Sequence, residues 1–146
     1  MTDIHFEDIE VGDGLKAGPY LLTKDEIITF ARQYDPRPFH IDEAAASRSM
    51  FGGLIAASAH TFAIAQALAY RWDPPLAVLA ALGIDEMRLF SPARPGDELN
   101  LISTLLEKRE SSKPDRGIAT FQTRVQNQRG ETVLEYKITV LLARRL

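Results

Sequence analysis

Residues 52–72 read GGLIAASAHTFAIAQALAYRW. From Gly52 to Tyr70 there is no Asp, Glu, Lys or Arg, which approaches the roughly 20 residues of a bilayer-spanning helix. Ser58, His60, Thr61 and Gln66 interrupt the run, however, and much of the remainder is alanine. The stretch therefore reads as a long helix buried in protein. Apolar or small on all sides, such a helix has to be wrapped by other structure, and its alanines let a sheet approach the backbone closely. Trp72, Asp73, Pro74 and Pro75 end it.

Downstream the hydrophobic period changes from helical to two. LAVLAALGIDEMRLF (76–90) reads as a strand and ARPGDE (93–98) as a turn. Leu99, Leu101 and Leu105 then alternate with polar positions. Ala119, Phe121, Thr123 and Val125 alternate with Thr120, Gln122, Arg124 and Gln126. After the turn NQRG (127–130), Leu134, Tyr136, Ile138, Val140 and Leu142 share one face. Successive side chains of a strand point to opposite sides, so these runs predict antiparallel strands with one buried and one wetter face. A further strand is expected near Leu15 to Leu22.

Upstream, Thr23 is placed to cap a helix, with Glu26 closing a capping box three residues on. Ile27, Phe30, Ala31 and Tyr34 follow at the spacing of one apolar helix face. Pro36 stops that helix, because the residue before a proline is pushed out of the α region. A short helical piece is expected from Asp42 to Ser49. The sum is an α+β chain, an antiparallel sheet curled around one long central helix, which is the arrangement of the hotdog fold. No linker, repeat or low-complexity tract divides it, so residues 1–146 read as a single domain.

Composition excludes several classes of function. The chain is 45% hydrophobic and 25% charged, as an ordinary globular protein is, and its net charge of -3 makes no electrostatic case for nucleic acid or an anionic membrane. With no cysteine there is no disulfide framework and no thiolate metal site. The acidic start MTDIHFEDIEVGD lacks the basic-then-apolar pattern of a secretion signal, and a cytoplasmic location is the expectation.

Two stretches carry possible chemistry. In YDPRPFHID (34–42), Asp35 and His40 lie five positions apart with Pro36 and Pro38 between them. A turn after a helix is one reading. The other is an acid–base pair, since prolines fix φ and stiffen the loop, and a held carboxylate and imidazole can activate a water and move its protons. In FGGLIAAS (51–58), Gly52 and Gly53 stand where the central helix is expected to begin. They either make the turn or leave backbone N–H groups open to an oxyanion. Ser58 is either a polar neighbour of that site or a small residue in a helix–sheet contact. The histidines His5, His40 and His60 are too dispersed for a metal set, with His5 in an N-terminal tail and His60 read as a satisfied core residue. Ser58 sits in no G-x-S-x-G elbow, and no glycine-rich phosphate loop is present.

Taken together and in order, the Asp-x-x-x-x-His loop, the alanine-rich stretch after Asp42, F-G-G-L-I-A-x-S and the later R-P-G-D turn resemble the MaoC-like dehydratases. These hotdog proteins include the (R)-specific enoyl-CoA hydratases, and the resemblance runs from Thr23 to the last strand. It implies reversible addition of water to a trans-2-enoyl thioester, giving an (R)-3-hydroxyacyl product. Asp35 and His40 match the catalytic pair. Gly53 matches the glycine whose N–H holds the thioester oxygen at the start of the central helix, and Ser58 matches a serine that supports the loop. No cofactor is implied beyond the coenzyme A or carrier of the thioester substrate. The resemblance also implies a homodimer or higher homo-oligomer, with two central helices side by side under a continuous sheet and the site at the interface. Two positions depart from the pattern: Arg37 stands where Asn is usual, and Gly52 where a histidine commonly precedes the glycine. Two other readings stay open, a hotdog acyl-CoA thioesterase using the same oxyanion site and a non-catalytic subunit that binds acyl thioesters.

Overall fold

The computed structural model describes residues 3–145. A 3₁₀ turn (Phe6–Asp8) precedes strand β1 (Gly14–Leu21) and helices α1 (Lys24–Tyr34), α2 (Pro38–Ile41), α3 (Glu43–Ser47) and α4 (Ser58–Tyr70). Strands β2 (Val78–Leu89), β3 (Glu98–Glu110), β4 (Arg116–Gln126) and β5 (Thr132–Ala143) follow. The strands form one antiparallel sheet in the order β1-β3-β4-β5-β2.

Strand alternation places the core as the sequence predicts. Leu99, Leu101 and Leu105 of β3, Ala119, Phe121, Thr123 and Val125 of β4, and Leu134, Tyr136, Val140 and Leu142 of β5 are all buried. Helix α4 lays Ile64, Ala65 and Leu68 against Leu99, Leu101, Val125, Leu134 and Tyr136. The other end of that face is covered by Phe6 and Ile9, so the N-terminal stretch expected to be a tail is packed. A side chain at Gly117 would run into the Phe6 ring, and only glycine allows that closure. This is the hotdog arrangement, a sheet around a central helix.

The central helix differs from expectation in two ways. It begins at Ser58, with Ala57 as an N-cap that offers no side-chain acceptor, and not at the glycine pair. Leu54 to Ala57 are buried outside the helix because tertiary bonds claim their backbone: Ile55 N–H donates to Phe39 O (3.2 Å) and Ala56 N–H to Ala93 O (2.9 Å). Nor is α4 wrapped all round. One side buries His60, Thr61, Ile64, Ala65 and Leu68, while Ala59, Ala63, Gln66, Ala67 and Tyr70 are exposed. Strand β2 is similarly bare. It is an edge strand with several register shifts, and Val78, Leu79, Leu82, Ile84 and Leu89 are all exposed.

Helix α1 starts as expected, Thr23 Oγ1 accepting from Glu26 N–H at 3.2 Å. The capping box does not close, because the Glu26 carboxylate is turned into the fold. Its Oε2 accepts from Tyr20 OH at 2.6 Å and lies 2.7 Å from His60 Nε2. On the expected apolar face of α1, Ile27 and Ala31 are buried and Tyr34 is exposed.

Candidate active site

The helix α1 exit sets the position of Asp35. Asp35 is the C-cap, in a non-helical conformation (φ -156, ψ 75), and its N–H still donates to Ala31 O at 2.8 Å. Pro36 enforces the break. Arg37, held extended between two prolines, caps α2, with Pro38 in the first turn. His40 therefore stands on a one-turn helix and not in an irregular loop, Pro38 being tolerated there because its missing N–H has no intrahelical role.

Asp35 and His40 are brought together. His40 Nε2 lies 3.5 Å from Asp35 Oδ2, with the imidazole almost wholly buried and the carboxylate 17% exposed. His40 Nδ1 lies 2.7 Å from Ile55 O. A carbonyl can only accept, so Nδ1 carries the hydrogen, and in its neutral form the ring presents Nε2 as an acceptor towards the carboxylate. At 3.5 Å the contact is longer than a good direct hydrogen bond, and both atoms stay within reach of one water seated beside them. The other carboxylate oxygen, Oδ1, is bonded by Arg37 Nη1. Edge-on packing of Phe39 (4.5 Å between ring centres) fixes the imidazole from the side.

Both groups line a cavity of about 380 Å³, together with Arg37, Phe39, Phe51, Ile55, Ser58, Thr61, Leu89, Phe90 and Val133. Ser58, the first residue of α4, lines the same cavity. Gly52 and Gly53 lie outside that lining. Gly52 has φ +69 and belongs to a turn, its N–H donating to Ser49 O at 3.1 Å. Gly53 stands five residues before Ser58, so its N–H is not an N-terminal amide of the central helix, contrary to expectation. Tertiary bonds to Ile55 and Ala56 start the helix later. The Gly53 N–H nonetheless has no acceptor among the described residues, and Phe51 and Ile55 on either side of it both line the cavity.

Several residues were not picked out from the sequence. Thr61, one turn beyond Ser58, is buried against the cavity, and the i, i+3 spacing on one helix face was the signal that could have found it. Arg94, in the R-P-G-D turn, donates through Nη2 to Phe51 O at 2.7 Å and braces the Phe51–Gly53 turn. The carbonyl of Ile55, which sets the His40 tautomer, carries no side-chain signal at all. Among the described residues no group of three or more His, Asp and Glu is placed to hold a metal ion, and no helix is long and apolar enough to cross a membrane.

Comparison with known proteins finds relatives in both sequence and fold. Residues 8–127 match the protein family described as MaoC like domain. A solved MaoC-like dehydratase from Rhodospirillum rubrum is 40% identical, with a TM-score of 0.91 over 97% of this chain and 98% of that one. The unliganded R-hydratase PhaJ1 from Pseudomonas aeruginosa superimposes with a TM-score of 0.78 at 26% identity, covering 99% of this chain and 92% of that one. The uncharacterized protein YdeM of Bacillus subtilis is 30% identical over 142 residues, covering 94% of this chain and 98% of its own.

Proposed function

This chain belongs to the MaoC-like domain family, and on that premise we propose that it adds water reversibly to a trans-2-enoyl thioester. The observation that carries the reading is the Asp35–His40 gap. One carboxylate oxygen and one imidazole nitrogen face each other at 3.5 Å in a cavity, both acceptors when the ring is neutral. A water seated beside both atoms donates one hydrogen to each, which leaves its lone pair free for carbon. In the forward step the water oxygen bonds to C3 as the C2=C3 π bond breaks. One of its protons passes through the pair to C2, and the other stays on the oxygen as the new hydroxyl. Negative charge gathers meanwhile on the thioester oxygen, and we assign its donor to the uncommitted Gly53 N–H. Ser58 and Thr61 form the polar edge of the same cavity.

The subunit described here leaves two apolar surfaces open, the exposed side of α4 and the edge strand β2. An unpaired edge of this length with exposed Val78, Leu79, Leu82 and Ile84 is a template for a second strand. We infer a homodimer that joins β2 to β2 and sets the two α4 helices side by side, and light scattering should return twice the monomer mass of 16.3 kDa.

The test of the activity is loss of enoyl-thioester absorbance with crotonyl-CoA, beside a thiol assay on the same sample. Absorbance loss without thiol release is expected. Thiol release without hydration would move the assignment to a thioesterase. Binding of the thioester with neither reaction would leave only an acyl-binding subunit.

A further inference from the structure

The cavity wall is mostly apolar: Phe39, Phe51, Ile55, Leu89, Phe90 and Val133. Among the described residues lining it, Arg37 is the sole Lys or Arg. Its backbone is fixed between Pro36 and Pro38, and its side chain, 66% exposed, stands beside Asp35. One guanidinium nitrogen, Nη1, donates to Asp35 Oδ1, while Nε and Nη2 have no acceptor among the described residues. A guanidinium is a rigid fork matched to carboxylate geometry, so with one nitrogen on Asp35 the others remain available to a second anion.

We propose that Arg37 makes the site selective for 2-enoyl thioesters whose acyl group bears a carboxylate at C3. This rests on the hydratase reading given above. There, the water held by Asp35 and His40 attacks C3, so a cation already touching Asp35 is adjacent to the substituent on that carbon. The phosphates of coenzyme A lie a whole pantetheine arm away from it. Without a cation, an acyl carboxylate brought up to Asp35 meets a like charge in a partly desolvated cavity. Arg37 bridges the two carboxylates instead. A neutral residue at position 37 has no such effect, and a methyl substituent at C3 gains nothing from it. The reaction itself is unchanged, H and OH adding across C2=C3 with no other reactant.

The pair fumaryl-CoA and crotonyl-CoA tests this, since they differ only in carboxylate against methyl at C3. For wild type we expect the larger kcat/KM with fumaryl-CoA. In Arg37→Asn the fumaryl-to-crotonyl ratio of kcat/KM should fall on the order of 10–100-fold, the size of a hydrogen bond between charged partners, mainly through KM, and Arg37→Lys should recover part of it. A ratio that Arg37→Asn leaves unchanged overturns the proposal. Calorimetry with the saturated, unreactive succinyl-CoA and butyryl-CoA separates the two ideas. If wild type hydrates crotonyl-CoA but binds both saturated thioesters alike, the hydratase reading stands and the carboxylate selectivity is wrong. If it binds succinyl-CoA more tightly in an Arg37-dependent way yet hydrates neither enoyl thioester, recognition stands and the reaction is wrong.

Discussion

Two histidine–carboxylate pairs have deeply buried imidazoles, and they are built differently. In His60–Glu26 the partners sit 2.7 Å apart, the same carboxylate oxygen also accepts from Tyr20 at 2.6 Å, and Phe30 stacks flat on the imidazole at 4.4 Å. The oxygen facing the imidazole already carries two hydrogen bonds, while His60 Nδ1, expected to be satisfied, is buried without a partner among the described residues. In His40–Asp35 the partners stand 3.5 Å apart. Each is instead anchored by its far side, the imidazole by Ile55 O and the carboxylate by Arg37, so the two inner atoms face one another unsatisfied. The first pair ties helix α1 to helix α4. The second holds two acceptors at a distance that suits a shared water. We assign the closed pair to packing and the open pair to chemistry, although each joins a carboxylate to a deeply buried imidazole.

The largest effect should come from removing the open pair's imidazole. His40→Ala is expected to lower kcat/KM for enoyl-thioester hydration by about 10²–10⁴-fold, the usual range for a positioned acid–base group. The circular dichroism spectrum should keep its native shape. A loss below tenfold would place the proton chemistry elsewhere. Breaking the closed pair should act on stability instead. His60→Ala leaves Glu26 with only Tyr20 and removes the ring stacked on Phe30, so denaturant unfolding should show a loss of about 1–3 kcal/mol. An unchanged midpoint would mean that α1 is held by its apolar face alone.

A smaller difference should appear at high pH. Burial, and then the hydrogen bond to Glu26, push the Tyr20 phenol up to about 12. The unfolded value is about 10. The folded state therefore retains a proton that the unfolded chain releases, so the contribution is complete below pH 10 and is lost as the pH rises through about 12. Stability followed from pH 9 upwards should fall less steeply in Tyr20→Phe than in wild type. Equal slopes would show that Tyr20 ionises alike in both states.

Much of this was open to reading from the residues. Period-two alternation marked β3, β4 and β5 because each has one face on the core, and the Pro36–Pro38 frame marked Asp35 and His40 because a stiff loop between polar groups is unusual for a plain turn. What escaped depends on distant partners. Glu26 fits a capping box locally, but its carboxylate goes to His60, 34 residues later, and no local pattern contains that bond. The start of α4 was placed too early because Leu54 to Ala57 are apolar, as in a helix. The bonds that hold Ile55 and Ala56 out of it come from Phe39 and Ala93. The exposed side of α4 was hidden for a related reason: alanine suits a sheet, a second helix or solvent equally well.

The contrast between the pairs is tested most directly by assaying Asp35→Asn and Glu26→Gln side by side for crotonyl-CoA hydration, at a temperature where both are folded. Each change removes one carboxylate charge and keeps the side chain's size. We predict that Asp35→Asn loses at least about 100-fold in kcat/KM, as expected for loss of a general base. Glu26→Gln should stay within a few-fold of wild type. Comparable losses in the two variants, or a larger one in Glu26→Gln, would contradict the assignment of the open pair to catalysis and the closed pair to packing.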